Sequence, residues 1–541
     1  MLARLYRWID RNFIELGREL RLSYLPPLMV YVAAGISGLT GIVGVFFVKD
    51  YLGLSAAFLA ALGFWTGIPW ALKMPLGHLV DLLWRWKAGF VFAGAGLIAV
   101  SLLIMIGLLA HTDAMRRVMS VEAWFVLSAL LAPVGYVMQD VVADAMTVEA
   151  VPRVDLDGRA VEPAQLKLMH TTMQTLGRVA IIGGSVAVAA ANVILFSGVE
   201  KMAEAQKVAI YVRIYEYALV IPVVSVLGVV LGGWLKLRRA SAMRDRGMSW
   251  REALDLASGR AAAPAPNWWI LGGSLVFVAF TVTMGLAEVP YNQEIIFAGS
   301  LGIIAFLMAR LMRALAPEAR RLLLGTAIVI FVYRSMPDVG PGYGWWAIDV
   351  LGFDQQFLSK LSLIASGLTL LGMFIFRRFM ADHSIAYIVA FLTIVGTFLM
   401  LPNVGMYYGL HEWTAARTGG VVDARFIAVI DQAISAPFGQ IAMIPMLAWI
   451  ANSAPDDLKA TFFAVMASFT NLALALAQLG TKYLNTVFVV TREVKDRTNG
   501  AVTVPADYSE LGVLLVAVTA IGLVLPLATI LVVRRCGLGS A

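Results

Sequence analysis

Cysteine is all but missing from this chain: Cys536, close to the C-terminus, is the single one in 541 residues. One thiol excludes a disulfide framework and any cysteine-built iron–sulfur or zinc centre. Charge is scarce too. Charged side chains make up 14% of the residues, against about 25% in soluble domains, while hydrophobic ones reach 60% against roughly 45–50%. The five histidines are scattered, and no G-x-S-x-G, H-E-x-x-H or phosphate-loop pattern occurs. An enzyme is not expected, nor a cofactor or a bound metal, and His111 and His411 read as solvated loop residues.

What fills the space is apolar sequence. Runs of about 20 residues, the length of one membrane crossing, recur from residue 26 to 533 with short polar breaks. They fall near 26–48, 55–80, 88–110, 121–149, 168–196 and 209–236. After a basic loop over 237–267 they resume near 268–289, 294–313, 320–338, 356–376, 384–402, 423–451, 459–489 and 511–533, about fourteen crossings in all. The expectation is an all-α polytopic membrane protein with the bilayer as its solvent. Residues 1–25 carry Leu2, Leu5, Ile9, Phe13, Leu16 and Leu20 at helical spacing among basic residues. They read as a retained amphipathic segment on the cytoplasmic membrane surface.

Alternate loops differ in charge. The set with the N-terminus, 237–267 and Arg534–Arg535 holds about 24 Lys and Arg and the other set about 9, which places both termini in the cytoplasm. The net charge of +7 follows from the same bias and does not call for a nucleic-acid partner. Gly35, Gly38, Gly41 and Gly44, spaced by three in the first crossing, suggest close helix approach.

Ionisable groups inside crossings are the informative residues, since each costs on the order of 2.5–3.5 kcal/mol at the bilayer centre. In "QDVVADAMTVEAVPR", Asp140 and Asp144 share a helix face, with Glu149 at the membrane edge. His170, Gln174 and Arg178 share a face of the next crossing. At a rise of about 1.5 Å per residue, Asp140 and Arg178 lie roughly 14 and 16 Å in from their common loop. The spacing therefore suggests an Asp140–Arg178 charge pair within a polar path. A carboxylate there can bind and release a proton, and arginine can hold an anion.

The second half repeats the theme. Arg334 ends a crossing and is followed by Asp338 and by Tyr343, Trp345 and Trp346, which read as a headgroup aromatic belt. Asp431, Gln432 and Gln440 lie on one crossing, and Asn471, Gln478 and Lys482 on another, with Asp431 and Lys482 at similar depth. Gly77, Asp81, Arg85 and Lys87 close the second crossing in a Gly-x-x-x-Asp turn with basic residues. That turn resembles the loop signature of the major facilitator superfamily, in which the Asp helps latch one conformation.

A more specific resemblance lies in four ordered blocks. They are "GISGLTGIVGVFFVKDYLGLSAAFLAALGFWTGIPWALKMPLGHLVD", "QDVVADAMTVEAVPR", "YRSMPDVGPGYGWWAIDVLGFDQQFL" and "GQIAMIPMLAWIANSAPDDLKATFFAVMASFTNL". Together they are similar to the folate-biopterin transporter family of that superfamily. The resemblance implies two six-helix bundles, residues 26–236 and 314–541, with alternating access. Because the family usually has twelve spans, it also implies an inserted helix pair over 268–313. It further implies proton-coupled transport of folates, pterins or related compounds, and a monomer in the bacterial inner membrane is expected. Family features fall on Lys73, Pro75, Asp81, Asp140, Asp144, Glu149, Arg334 and Asp338. "KMPLGHLVD" departs from the family's Lys-Pro-Leu-Tyr-Gly run.

The resulting expectation is a secondary transporter for a small organic anion. Arg178, Gln174, Arg334 and Gln440 would contact substrate, Asp140, Asp144 and Asp431 would carry protons, and Gly77, Asp81 and Arg85 would form the latch. A muropeptide-permease-like transporter and a non-transporting assembly or pigment-associated factor on the same fold are the alternatives.

Overall fold

Within hydrocarbon every backbone N–H and C=O must be satisfied inside its own segment, so a chain this apolar resolves into helices. The computed structural model describes residues 20–51, 54–71, 73–152, 154, 157, 159–258, 268–287, 289–313, 315–439, 441, 459–495 and 502–539. Most of the amphipathic segment 1–25, the Ala/Pro run before residue 268 and Gln440 lie outside them. Among the described residues, ten helices are long and apolar enough to cross a bilayer.

The first crossing is α1 (Leu25–Gly35) and α2 (Gly41–Tyr51), joined by a 3₁₀ turn over Ile36–Thr40. The second runs through α3 (Ala56–Ala71) and α4 (Lys73–Leu82). Next come α5 (Lys87–Ala110), α6 (Val121–Ala150) and α7 (Pro163–Leu195). The sixth crossing is α8 (Glu204–Ala218) followed by α9 (Val220–Arg244). It corrects the expected loop start at 237. The helix continues through Lys236, Arg238 and Arg239 to Arg244, because these are good helix formers whose charge complements the C-terminal end of the helix dipole. A short helix, Trp250–Ala257, then packs back on it, burying Ala253 and Ala257 against Ala240 and Met243.

Two further helices, α10 (Trp268–Leu286) and α11 (Asn292–Met312), occupy the expected insertion. The second bundle holds α12 (Pro317–Arg334), the short α13 (Pro341–Asp349), α14 (Gln355–Ile375), α15 (Ile385–Tyr407), α16 (Ala424–Ser435), α17 (Lys459–Val487) and α18 (Leu511–Arg535). A helix stands at each of the fourteen expected places. Of those absent from the ten, the one near 423–451 is described only in part, and α17 carries Asn471, Gln478 and Lys482, which face protein rather than lipid. Between α17 and α18 lies a two-stranded antiparallel hairpin, Val494–Lys495 with Val502–Val504, which apolar periodicity does not foretell.

Because α1 starts and α18 ends at the same side, the chain has a near face, with both ends, and a far face. Close packing rests on small residues, since burial of apolar surface does not drive association inside lipid. A Cβ on Gly94 of α5 would stand 2.5 Å from the carbonyl oxygen of Gly135 on α6, and one on Gly135 2.6 Å from that of Gly94. Two turns further, the Ser101 and Ser128 hydroxyls donate to each other's backbone carbonyls at 2.8 and 3.0 Å. In the first crossing the glycine reading holds for Gly35 alone, which presses on Ile181 and Gly184 of α7; Gly38, Gly41 and Gly44 face open space.

The Gly94–Gly135 contact yields a paired prediction. Gly94→Val forces two backbones apart and should destabilise the protein by about 1–3 kcal/mol, whereas Gly96→Val, with nothing within 4 Å of its added Cβ, should not. Thermal unfolding of the two purified variants, followed by loss of monodispersity in detergent, checks this; equal melting temperatures would contradict it.

Candidate functional site

The deepest charges of the first bundle converge on one lysine. Lys73, at the start of α4, lies 2.6 Å from Asp140 Oδ2 and 2.7 Å from Asp144 Oδ2. Asp140 and Asp144 point the same way because they are four apart on α6. The Tyr31 hydroxyl of α1 donates to Asp144 Oδ1 at 2.7 Å, so three helices meet at this cluster. Exposure divides the two acids: the Asp140 side chain is 19% exposed and that of Asp144 43%. Asp144 therefore opens onto unfilled space, while Asp140 is the enclosed partner.

This corrects the expected Asp140–Arg178 pair. Arg178 lies within electrostatic reach of Asp140, but the direct contact belongs to Lys73. Depth explains the difference. Lys73 stands eight residues before Asp81 at the near-face turn, which places it about 12 Å in by helical rise, level with Asp140. The side chains of His170, Gln174, Asp81 and Arg85 lie outside the described part of the structure, so the remainder of the expected stripe and of the latch is not placed. Gly77 sits in α4 with nothing within 4 Å of where its Cβ would be.

Glu149 is spent on structure at the near end of the same bundle. Lys87 of α5 donates to Glu149 Oε2 at 2.6 Å and lies 3.6 Å over the Trp84 ring, while Lys236 of α9 stands 3.5 Å from Glu149 Oε1. One carboxylate thus ties three helices.

The second bundle keeps its own polar group. Tyr343 of α13 donates to Asn403 Oδ1 at 2.6 Å, and Asn403 donates to Asp431 Oδ2 at 3.3 Å. Among the described residues, the other, buried oxygen of Asp431 has no hydrogen-bond partner. Lys482, expected at Asp431's depth, instead donates to Glu294 at 2.7 Å and to Gln293 at 3.2 Å, both on α11. Arg334 is half-buried at the end of α12, and the Asp338 carboxylate accepts from the Val339 N–H at 2.6 Å. The expected aromatic belt is also corrected. Trp345 and Trp346 are 2% and 4% exposed, Trp346 packing with Tyr343 and Tyr407 and Trp345 under the Arg492 guanidinium, so neither reaches headgroups.

The two bundles meet unevenly. At the far face Gln355 of α14 donates to the Tyr211 hydroxyl of α8 at 2.9 Å, both residues buried, and Ile348 and Leu358 pack into a cluster with Phe47, Phe196 and Tyr211. At mid-depth Asn471 of α17 donates to the Trp70 carbonyl at 3.1 Å. The near-face clusters around Met173 and around Leu392 each draw, among the described residues, on one bundle only. On the near side α4 also packs against α17, and Ala71 shares a buried cluster with Val465 and Met466.

Two bundles of membrane-length helices with charged side chains between them make this an all-α multi-pass membrane protein. Solved structures share this fold: a peptide transporter POT in complex with sulfate matches at TM-score 0.57 and 14% identity, covering 95% of this chain and 94% of that one. The nucleoside transporter NupG matches at TM-score 0.52 and 13% identity, over 94% and 99% of the two chains. The chain belongs to the BT1 family, whose model matches residues 34–537. It is similar to a folate-biopterin transporter of Synechocystis sp., 27% identical over 162 residues, 30% of this chain and 31% of that protein. It is also similar to folate transporter 2 of Plasmodium falciparum, 26% identical over 164 residues, 29% of this chain and 33% of that protein. Each match thus spans about a third of the relative's length. The folate-biopterin resemblance of the four sequence blocks is borne out at the level of family, and the relatives are transporters rather than enzymes.

The cluster makes a testable demand. Lys73→Met leaves two carboxylates without their cation and should cost up to about 3–5 kcal/mol, less to the extent that Asp144 is solvated. Adding Asp140→Asn and Asp144→Asn to that variant removes the unpaired charge and should restore most of the folded yield, read by size-exclusion chromatography. A triple variant no better than Lys73→Met would contradict the pairing.

Proposed function

We propose that this protein moves a small organic anion of the folate or pterin type across the bilayer by alternating access, coupled to protons. The carrying observation is the Lys73–Asp140–Asp144 cluster with one acid exposed. With Arg178 the group holds two positive and two negative charges. A substrate carboxylate that reaches Lys73 or Arg178 unbalances it by one negative charge, which is expensive in a medium where charge is poorly solvated. Protonation of Asp144 or Asp140 restores neutrality and releases Lys73 to the anion. Proton and substrate then bind together, because the proton neutralises the carboxylate that competes with the substrate for the one ammonium.

In this reading Arg178 and Gln174 contact substrate from the first bundle, and Arg334 and Gln440 from the second. Asp431, with a buried oxygen that has no hydrogen-bond partner among the described residues, is a further proton site. Gly77, Asp81 and Arg85 latch one conformation at the near face. The bundles correspond to residues 26–236 and 314–541, working as a monomer. The excess of Lys and Arg in the near-face loops supports a bacterial inner-membrane orientation with both termini cytoplasmic. The matches named for folate transport support the substrate class. A glutamate-bearing pteridine offers the carboxylates that buried cations recognise.

Uptake into proteoliposomes with and without an inward proton gradient tests the reading, with folate, a simple pterin and an anhydro-muropeptide in parallel. Gradient-driven accumulation of folate or the pterin is expected. Asp140→Asn should lower that accumulation by at least about tenfold, equivalent to about 1.4 kcal/mol, while leaving exchange of internal for external substrate. Muropeptide accumulation alone, or a gradient response unchanged in Asp140→Asn, would refute it.

A further inference from the structure

The near face of the first bundle holds a cavity of about 440 Å³ that the transport path does not use. Its walls come from the segment before α1, the α6–α7 connection, the first turns of α7 and the end of α9, and two guanidiniums, Arg21 and Arg239, line it together with Gln165. That volume lies within the roughly 300–1,000 Å³ usual for small-molecule sites. Arg239 is held in place, one of its terminal nitrogens donating to the Val154 carbonyl at 2.5 Å. Beside it a groove of about 310 Å³ runs into the membrane between α1, α7 and α9. Leu28, Met29 and Val32 form one wall, and Leu176 and Val179 the other.

The two spaces are consecutive. Leu20 lines the groove and its neighbour Arg21 the cavity, while Met169 of the cavity and Leu176 of the groove lie two turns apart on one face of α7. We propose that they form one binding site for an anionic phospholipid, its phosphate between Arg21 and Arg239 and an acyl chain along the groove. The height fits, since Arg21 immediately precedes the first crossing, where headgroups lie. Charge fits as well. Guanidinium is the side chain suited to phosphate, and basic pockets between membrane helices on the anionic leaflet select such headgroups. A zwitterionic lipid would fill the groove equally but gain little from two arginines, and a soluble phosphate would gain the arginines but not the groove.

Full-length protein in mild detergent, titrated separately with phosphatidylglycerol, phosphatidylcholine of the same chains and glycerol phosphate, and read by native mass spectrometry, tests the site. Retention of phosphatidylglycerol at least about fivefold tighter than phosphatidylcholine is expected, with no binding of glycerol phosphate. Arg21→Gln and Arg239→Gln should each weaken it about fivefold, the change corresponding to about 1 kcal/mol per basic side chain at an anionic surface. Arg21→Lys should retain it. Because Arg239 also holds the Val154 backbone, Arg21→Gln is the deciding variant. Equal retention of the two lipids, binding of glycerol phosphate, or wild-type retention by Arg21→Gln would each overturn the proposal. So would no binding of any probe.

Discussion

A lysine about 12 Å inside a bilayer, by helical rise, needs a partner, and the arrangement around Lys73 meets that need twice. The demand fixes more than one contact. To reach Asp140 and Asp144 at 2.6 and 2.7 Å, α4 must lie against α6, and Tyr31 brings α1 to the same point. The close approach of α5 to α6 at Gly94 and Gly135, and of α1 to α7 at Gly35 and Gly184, holds those helices at the separation the charges require. Packing by small residues and pairing of charges therefore support each other, as they must where lipid offers no hydrophobic drive between helices.

The same cluster is also the least settled part of the bundle in electrostatic terms. One cation serves two acids, and one of those acids is open to water. A fixed structural lock would need a single enclosed carboxylate, as the Lys87–Glu149–Lys236 contact at the near face illustrates. With two acids on Lys73, neutralising one of them would still leave it a salt bridge, the arrangement on which the proposed coupling rests. Meanwhile the far-side contacts, Gln355 to Tyr211 among them, join the two bundles directly.

Much of this was legible in the chain itself. The crossings follow from apolar run length, because a bilayer leaves helices as the only solution for such runs. The two acids on α6 follow from a spacing of four. Their partner was harder to read. Arg178 and Lys73 stand at nearly the same depth, and helical rise gives depth but not which helices are neighbours, so the choice between them belongs to tertiary packing. Lys482 shows the same limit. Its depth matched Asp431, yet it pairs with Glu294 of the inserted α11, a helix whose position beside α17 no periodicity encodes. Trp345 and Trp346 were misread because aromatic residues at a helix end suit either a headgroup belt or a buried cluster, and the Arg492 that covers Trp345 arrives from 147 positions further along the chain.

The most direct test of competition for Lys73 is a count of protons. Isothermal titration calorimetry of folate or pterin binding to the purified protein, repeated at one pH in buffers of different ionisation enthalpy, reports protons taken up per anion bound. The account gives close to one proton per anion in the wild type and close to none in an Asp140→Asn, Asp144→Asn double variant. Anion binding with no proton uptake by the wild type would contradict it.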